Sequence, residues 1–243
     1  MEFLNINLDN YDYKYKSSAI ASYQLKKRDL SKLLVFKNKE IIDSKFNKLI
    51  NYLPENTILF FNNTKVIKAR IYLHNKSGYK IELLLLNQVK NKSLIIENFK
   101  NNITYKCLIG NNKKWKVDEE IFIKRGDILI KIKKVDSNKV FFSWDKNILW
   151  EELLNLIGQM PIPPYLNRKT EKIDEKSYQT IYSKKKGSVA APTAGLHFSK
   201  KTFVKIEKNN IKTDYFTLHV GLGTFKPILE KKIINHKMHT EEV

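Results

Sequence analysis

Four strings in the last third of the chain hold side chains that do chemistry at spacings that bring them together. Residues 187–198, GSVAAPTAGLHF, combine the hydroxyls of Ser188 and Thr193 and the imidazole of His197 with the small residues Gly187, Ala190, Ala191, Ala194 and Gly195. Small residues let a ligand or a second backbone approach closely. His197 precedes an expected helix start, where free N–H groups and the helix dipole favour a negative ligand group. A tight packing turn with a core histidine has the same composition, so the string alone leaves both readings open. TLHVGLGTF places Thr217 and His219 on one face of an expected strand, with Gly221, Gly223 and Thr224 at its end. The third glycine of a dinucleotide fingerprint is absent. PIPPYLNR sets three prolines within four residues ahead of Tyr165 and Arg168. Such a loop is stiff and holds both side chains ready for a ligand, or it is a rigid surface connector. HKMHTEE puts His236 and His239 at i, i+3, with Glu241 and Glu242 behind. A zinc site needs a third or fourth ligand, and HExxH is absent. The expectation is polar contact with substrate or core, and no metal.

Composition narrows the class. The 45 basic residues exceed the 25 acidic ones, for a net charge of +20. Lysines that neutralise phosphates release counterions, so a nucleic-acid partner is one reading. Abundant lysine, asparagine and isoleucine also fit the codon drift of an AT-rich genome. Only Arg28, Arg70, Arg125 and Arg168 are arginine. Where lysine replaces arginine freely, the survivors mark sites that need the planar, bidentate fork. Of the 8 glycines and 6 prolines, 10 lie between Gly158 and Pro227, so shape-fixing residues concentrate where the reactive side chains are. Cys107 is the single cysteine and makes no internal disulfide. That usage suits a reducing compartment and a cytoplasmic protein. The N-terminal residues show no apolar core of a signal peptide. The apolar run around Leu83–Leu86 is too short to span a membrane.

Periodicity supplies the elements that must position these groups. LLVF (33–36) and EII (40–42) read as strands. Ser44 is expected to cap a helix presenting Phe46, Leu49, Ile50 and Leu53, ending near Pro54. TILFF (57–61) reads as a strand buried on both faces that delivers Asn62, Asn63, Thr64 and Lys65 at its end. Between residues 66 and 145, short alternating runs separated by Asn-, Gly- and Asp-rich turns predict an inserted antiparallel β-barrel or sandwich. A helix follows at 150–160, with Leu153, Leu154 and Ile157 on one stripe. Ser199 caps another at 200–210, and a strand is expected at 214–220. The segment contains no internal repeat.

The strings NYDY (10–13), RDLSKLLV (28–35), FNNTKVIKARI (61–71), GQMPIPPYLNR (158–168), YQTIY (178–182), GSVAAPTAGLHF, TLHVGLGTFKPI (217–228) and HKMHTEE occur in one order. In that order they resemble the S-adenosylmethionine:tRNA ribosyltransferase-isomerases of queuosine biosynthesis. The resemblance implies an α/β domain, residues 1–65 and 150–243, interrupted by an inserted antiparallel β-barrel-like domain at 66–149. It implies that the C-terminal part of the α/β domain is missing here. The implied activity moves the ribosyl part of S-adenosylmethionine onto the aminomethyl group of a 7-deazaguanine base already in tRNA. Epoxyqueuosine forms, and adenine and methionine leave. The implied partners are preQ1-modified tRNA and S-adenosylmethionine as co-substrate, with no other cofactor and no membrane, for a monomer. Arg28, Arg70 and Arg168 fall inside the strings. His197 and His219 are the expected proton-transfer residues, since histidine suits either role at neutral pH. Asp174 and Tyr178 are the further catalytic candidates. The expected substrate-binding set is Asn63, Arg70, Tyr165, Arg168, Ser188, Thr193, Gly195, Gly221, Gly223, Thr224, His236, His239 and Glu241. Arg70 or Arg168 would grip the methionine carboxylate or a phosphate, and Tyr165 would stack on adenine or on the extruded base. The competing reading is a catalytically inactive remnant that at most binds tRNA.

Overall fold

The computed structural model describes residues 6–89, 101–225 and 228–241. Glu242 lies outside them. Strands β1 (Lys32–Lys37) and β2 (Glu40–Lys45) form a hairpin with Lys37 opposite Glu40. Its two turn residues, Asn38 and Lys39, have φ of 53° and 66°, the signature of the turn that matches strand twist. Residues Phe46–Tyr52 then form a 3-10 helix, not the expected α-helix capped by Ser44. Ser44 is held in β2 opposite Leu33, and its hydroxyl accepts from the Tyr52 hydroxyl at 3.0 Å, so it has no capping role.

Next come β3 (Ile58–Asn62) and β4 (Thr64–Val66). The barrel-like sheet follows with β5 (Arg70–His74), β6 (Lys80–Gln88), β7 (Asn102–Gly110), β8 (Glu120–Arg125), β9 (Ile128–Lys134) and β10 (Lys139–Trp144). Its six strands are antiparallel in the order β5-β6-β7-β10-β9-β8. Alternation sends Val140, Phe142 and Trp144 inward from β10, and Ile130 and Ile132 inward from β9. Cys107 is buried among them, as expected, and burial pushes its thiol pKa well up. Helix α1 (Trp150–Ile157) closes this core. Trp150 stacks on Tyr105 with ring centroids 5.4 Å apart and donates from Nε1 to its hydroxyl at 3.2 Å. The Leu153, Leu154 and Ile157 stripe is buried on the barrel, so this helix belongs to the barrel core.

The remaining elements are α2 (Asp174–Ser177), β11 (Lys185–Ser188), α3 (Lys200–Lys208) and β12 (Lys212–Phe216). Parallel pairs β12–β3 and β11–β4 each form a two-stranded sheet. The expectation that β3 is buried on both faces is corrected here. Phe61 packs among Tyr182, Phe198, Phe203 and Tyr215, whereas Phe60, on the other face, is 62% exposed. The last strand also ends early, at Phe216. Asn62 replaces its ladder: Oδ1 accepts from Leu218 N at 3.1 Å and Nδ2 donates to Leu218 O at 2.9 Å. Thr217 and His219 therefore leave the strand and do not share a strand face. Helix α3 starts as expected, with Ser199 Oγ accepting from Thr202 N at 3.2 Å. Among the described residues no helix is long and apolar enough to cross a membrane.

Candidate active site

Strand β5 and the proline-rich loop are joined by a backbone bridge. Arg70 N donates to Gln159 O at 3.2 Å and Gln159 N to Arg70 O at 2.7 Å. The bridge aims the stiff loop across the barrel edge and opens a cleft of about 770 Å³. One wall is barrel: Arg70, Glu82, Leu84, Leu108, Ile109 and Gly110. The other is loop: Pro163, Pro164, Tyr165, Tyr178, Ala190, Ala191, Thr193 and Thr224. Ala190 and Ala191 are the small residues of residues 187–198, and their size leaves the cleft open.

Arg70 is buried in this wall, and its Nη1 donates to Ile162 O at 3.0 Å. Its Nε lies 3.1 Å from Glu82 Oε1, without the alignment of a hydrogen bond. Burial pushes the Tyr178 phenol up to about 12, although a backbone hydrogen bond from Ala191 works against that. Tyr178 is thus a protonated donor at neutral pH. Tyr165, Thr193 and Thr224 complete the expected residues at the cleft.

Other expected residues lie elsewhere. Arg168 forks onto Asp174 with two contacts of 2.7 Å, and its Nε donates to Ser22 O at 2.7 Å. Its guanidinium also covers the Tyr23 ring at 4.4 Å. Burial raises the Asp174 carboxyl pKa, but the Arg168 fork and the Glu171 N–H outweigh it and hold the group below the usual carboxylate range. This pair fastens the N-terminal segment to the loop, leaves the Arg168 fork no room for a substrate carboxylate and ties Asp174 into an ion pair.

The histidines do not line the cleft either. His197 Nδ1 lies 2.9 Å from Ser31 Oγ. That hydroxyl already donates to Arg28 O at 2.7 Å, so the imidazole is the donor. Burial, the leading cause, lowers the His197 pKa. His219 is buried, with Nδ1 2.7 Å from Thr64 Oγ1. Its ring sits where a Cβ on Gly187 would be, 2.8 Å from Cε1, and Gly187 has φ of +151°. Only glycine fits there.

Ser188 Oγ is fully engaged: it donates to Ala190 O at 2.7 Å and accepts from Val220 N at 3.0 Å. Asn63 Oδ1 accepts from Thr217 Oγ1 at 2.7 Å. A Cβ on Gly195 would lie 2.2 Å from the Tyr182 hydroxyl, so that glycine serves packing. Glu241 Oε2 accepts from Gly221 N at 2.8 Å, and Glu241 Oε1 lies 3.1 Å from His239 Nε2. The His239 ring packs against Gly223, where a Cβ would lie 1.9 Å from Cδ2. His236 is half-buried beside the 3-10 turn Ile233–Asn235. Among the described residues no group of three or more His, Cys, Asp or Glu is placed to hold a metal ion.

Sequence reading missed Glu82 and Gly110. The available signal was an acid inside the otherwise apolar strand IELLLL (81–86), but its neighbour on the next strand depends on register.

A sequence model of the queuosine biosynthesis protein family matches residues 8–243. The chain belongs to that family. Curated relatives in Francisella philomiragia and Francisella tularensis subsp. novicida are each 38% identical to it, over 237 and 239 residues. Both are named S-adenosylmethionine:tRNA ribosyltransferase-isomerase. Each alignment covers 97% of this chain and 66% of the relative, so the chain spans about two thirds of their length. A solved S-adenosylmethionine tRNA ribosyltransferase from Thermotoga maritima is 23% identical, with a TM-score of 0.32 over 87% of this chain and 58% of that one. Within the queuosine biosynthesis family, then, this member presents the 187–198 string to an apolar cleft through its alanines and Thr193, with His197 turned to a different neighbourhood.

Proposed function

We propose that the cleft is the site at which S-adenosylmethionine gives its ribosyl group to the aminomethyl group of a 7-deazaguanine base in tRNA. The ribose rearranges to the epoxycyclopentane of epoxyqueuosine, and adenine and methionine leave. The observation that carries this reading is convergence. Arg70, Tyr165, Tyr178, Thr193 and Thr224 each come from a different one of the ordered strings and line one cleft. Family membership and the names of the curated relatives support the same activity.

The sulfonium acidifies the adjacent 5′ carbon, the attacking amine must be neutral, and departing adenine needs a proton. Tyr178, which keeps its proton and lines the cleft, is proposed to stabilise departing adenine by donating a hydrogen bond to a ring nitrogen. Tyr165 is 58% exposed and offers an open aromatic face for adenine or the extruded base. Leu84, Leu108 and Ile109 give the barrel wall of the cleft an apolar surface against which a ligand can pack. His197 and His219 are proposed as positioning residues for the 187–198 segment, acting through Ser31 and Thr64. Asp174 acts through Arg168.

Free adenine is the test. The chain is mixed with S-adenosylmethionine and preQ1-modified tRNA, and adenine release is expected. A second reading, a remnant that binds tRNA through its +20 charge without turnover, is favoured by the small core of the α/β half. It would give retarded tRNA and no adenine.

A further inference from the structure

Among the described residues that line the cleft, Arg70 and Glu82 carry the only formal charges, and the charges are opposite. They stand side by side on neighbouring strands because Arg70 pairs with Leu84, and Tyr72 with Glu82, in the β5–β6 register. The Arg70 side chain is only 10% exposed and Glu82 is 42% exposed. A pair made only for stability gains little at such a half-wet position. This pair is also poorly aligned: Nε faces Oε1 at 3.1 Å but makes no hydrogen bond. Nη1 goes to Ile162 O and the guanidinium also reaches the Tyr72 hydroxyl, so Nε is the donor left without a hydrogen bond, and an unmade bond at a buried guanidinium is costly. The space beside Glu82 is kept open by Gly110, its partner across β7. A Cβ at Gly110 would lie 3.2 Å from the Glu82 Cβ.

We infer that Arg70 and Glu82 form a subsite for the head of an α-amino acid, with the guanidinium taking the α-carboxylate and Glu82 the α-ammonium. A site for a simple anion would not place a carboxylate against its guanidinium. A site for a simple cation would not bury an arginine. A zwitterion satisfies both groups at once, with charge-assisted hydrogen bonds at each end. Leu84 and Leu108 then line the path of an apolar side chain. The inference rests on the proposed function in one respect: the methionyl part of S-adenosylmethionine is the zwitterion that this reaction brings to the cleft.

Calorimetric titration of the 243-residue chain with L-methionine, its decarboxylated amine (methylthiopropylamine) and its desamino acid (methylthiobutanoate) tests the subsite. Methionine is expected to bind about tenfold or more tightly than either analogue, which corresponds to one charged hydrogen bond at each end. Glu82→Gln keeps size and should abolish the preference over the desamino acid while retaining that over the amine. Arg70→Gln should do the reverse. Because Arg70 also holds Ile162, Gly110→Ala serves as a second probe, and its methyl group should weaken methionine binding beside an intact Arg70. Equal binding of all three compounds, or an unchanged preference in Glu82→Gln, overturns the subsite. Adenine release with no such preference would leave the ribosyl-transfer reading standing and remove the subsite. The preference without adenine release, with S-adenosylmethionine and preQ1-modified tRNA both supplied, would retain the subsite and count against the ribosyl-transfer reading.

Discussion

The barrel half and the α/β half of this chain are stabilised differently. The barrel has one continuous core in which Trp115, Trp150, Tyr105 and Phe142 are fully buried. The α/β half has short two-stranded sheets and a second cluster built from Val66, Met160, Ile162, Tyr178, Ala191 and Leu196. An aromatic group around Phe61 packs one face of β3, but Leu34, Phe36, Ile41, Ile58 and Phe60 are all exposed. The cleft lies where these two regimes meet. Rigid barrel strands supply Arg70 and Glu82, and the loops of the more open half supply Tyr165, Tyr178 and Thr193. Tyr178 belongs to both the small core and the cleft, so that core directly orients a cleft residue.

Damage to the barrel core should accordingly have the largest effect. Trp150→Ala removes the ring that stacks on Tyr105 and packs at a tilt against Phe142 and Trp144. It should cost about 3–5 kcal/mol, read as a collapse of the denaturant midpoint. Tyr178→Phe sharpens the contrast from the other side. It should lower adenine release about 100-fold while stability falls by only about 1 kcal/mol, because the ring remains and the phenol's donation to the cleft and its bond from the Ala191 N–H are lost. An equal fall in stability would mean that the phenol serves packing alone.

Arg168→Lys keeps the charge but loses the fork onto Asp174, which should cost about 1–2 kcal/mol. The sign with pH follows from the depressed Asp174 pKa. Its contribution is present above the unfolded value and is lost as pH falls through the folded value. Acid unfolding of Arg168→Lys should therefore begin at a higher pH than in the parent chain, which a far-UV titration checks.

His197 gives a smaller effect with the same sign. Its folded pKa is lowered, chiefly by burial, so its neutral form favours folding above about pH 6.5. That contribution is lost as pH falls below this value toward the folded pKa. Melting temperature should decline over that interval, and His197→Gln should flatten the decline. Phe60→Ser, on the open face of β3, should change stability least, within about 0.5 kcal/mol. A large destabilisation there would break the contrast and show that the face is covered in solution.

The barrel strands, α1 and α3 were legible because strict alternation and the 3.6-residue period report burial directly. Three local readings failed for a shared reason. Ser44 is held by strand pairing, β3 lacks cover on one face, and Asn62 takes over the ladder at Leu218. Each outcome depends on a partner distant in sequence. Arginine scarcity marked Arg28, Arg70, Arg125 and Arg168 as sites needing a fork, but Arg28 donates to Gln179 O at 3.0 Å, Arg168 clamps Asp174, and exposed Arg125 reaches only the neighbouring Lys124 O. The small-residue logic of the 187–198 string held in a mixed form. Gly187 and Gly195 make room for His219 and Tyr182, while Ala190 and Ala191 make room for the cleft.

By itself the sequence determined family membership, the barrel and the segments from which a site is assembled, because ordered strings and apolar periodicity are local properties. Only the tertiary structure decided which polar groups of those segments face a common space. Register brings Arg70 beside Glu82, and the backbone turn through residues 187–198 directs Thr193 to the cleft and His197 to Ser31. Side-chain direction is set by pairing and packing with distant elements, and residue type does not encode it.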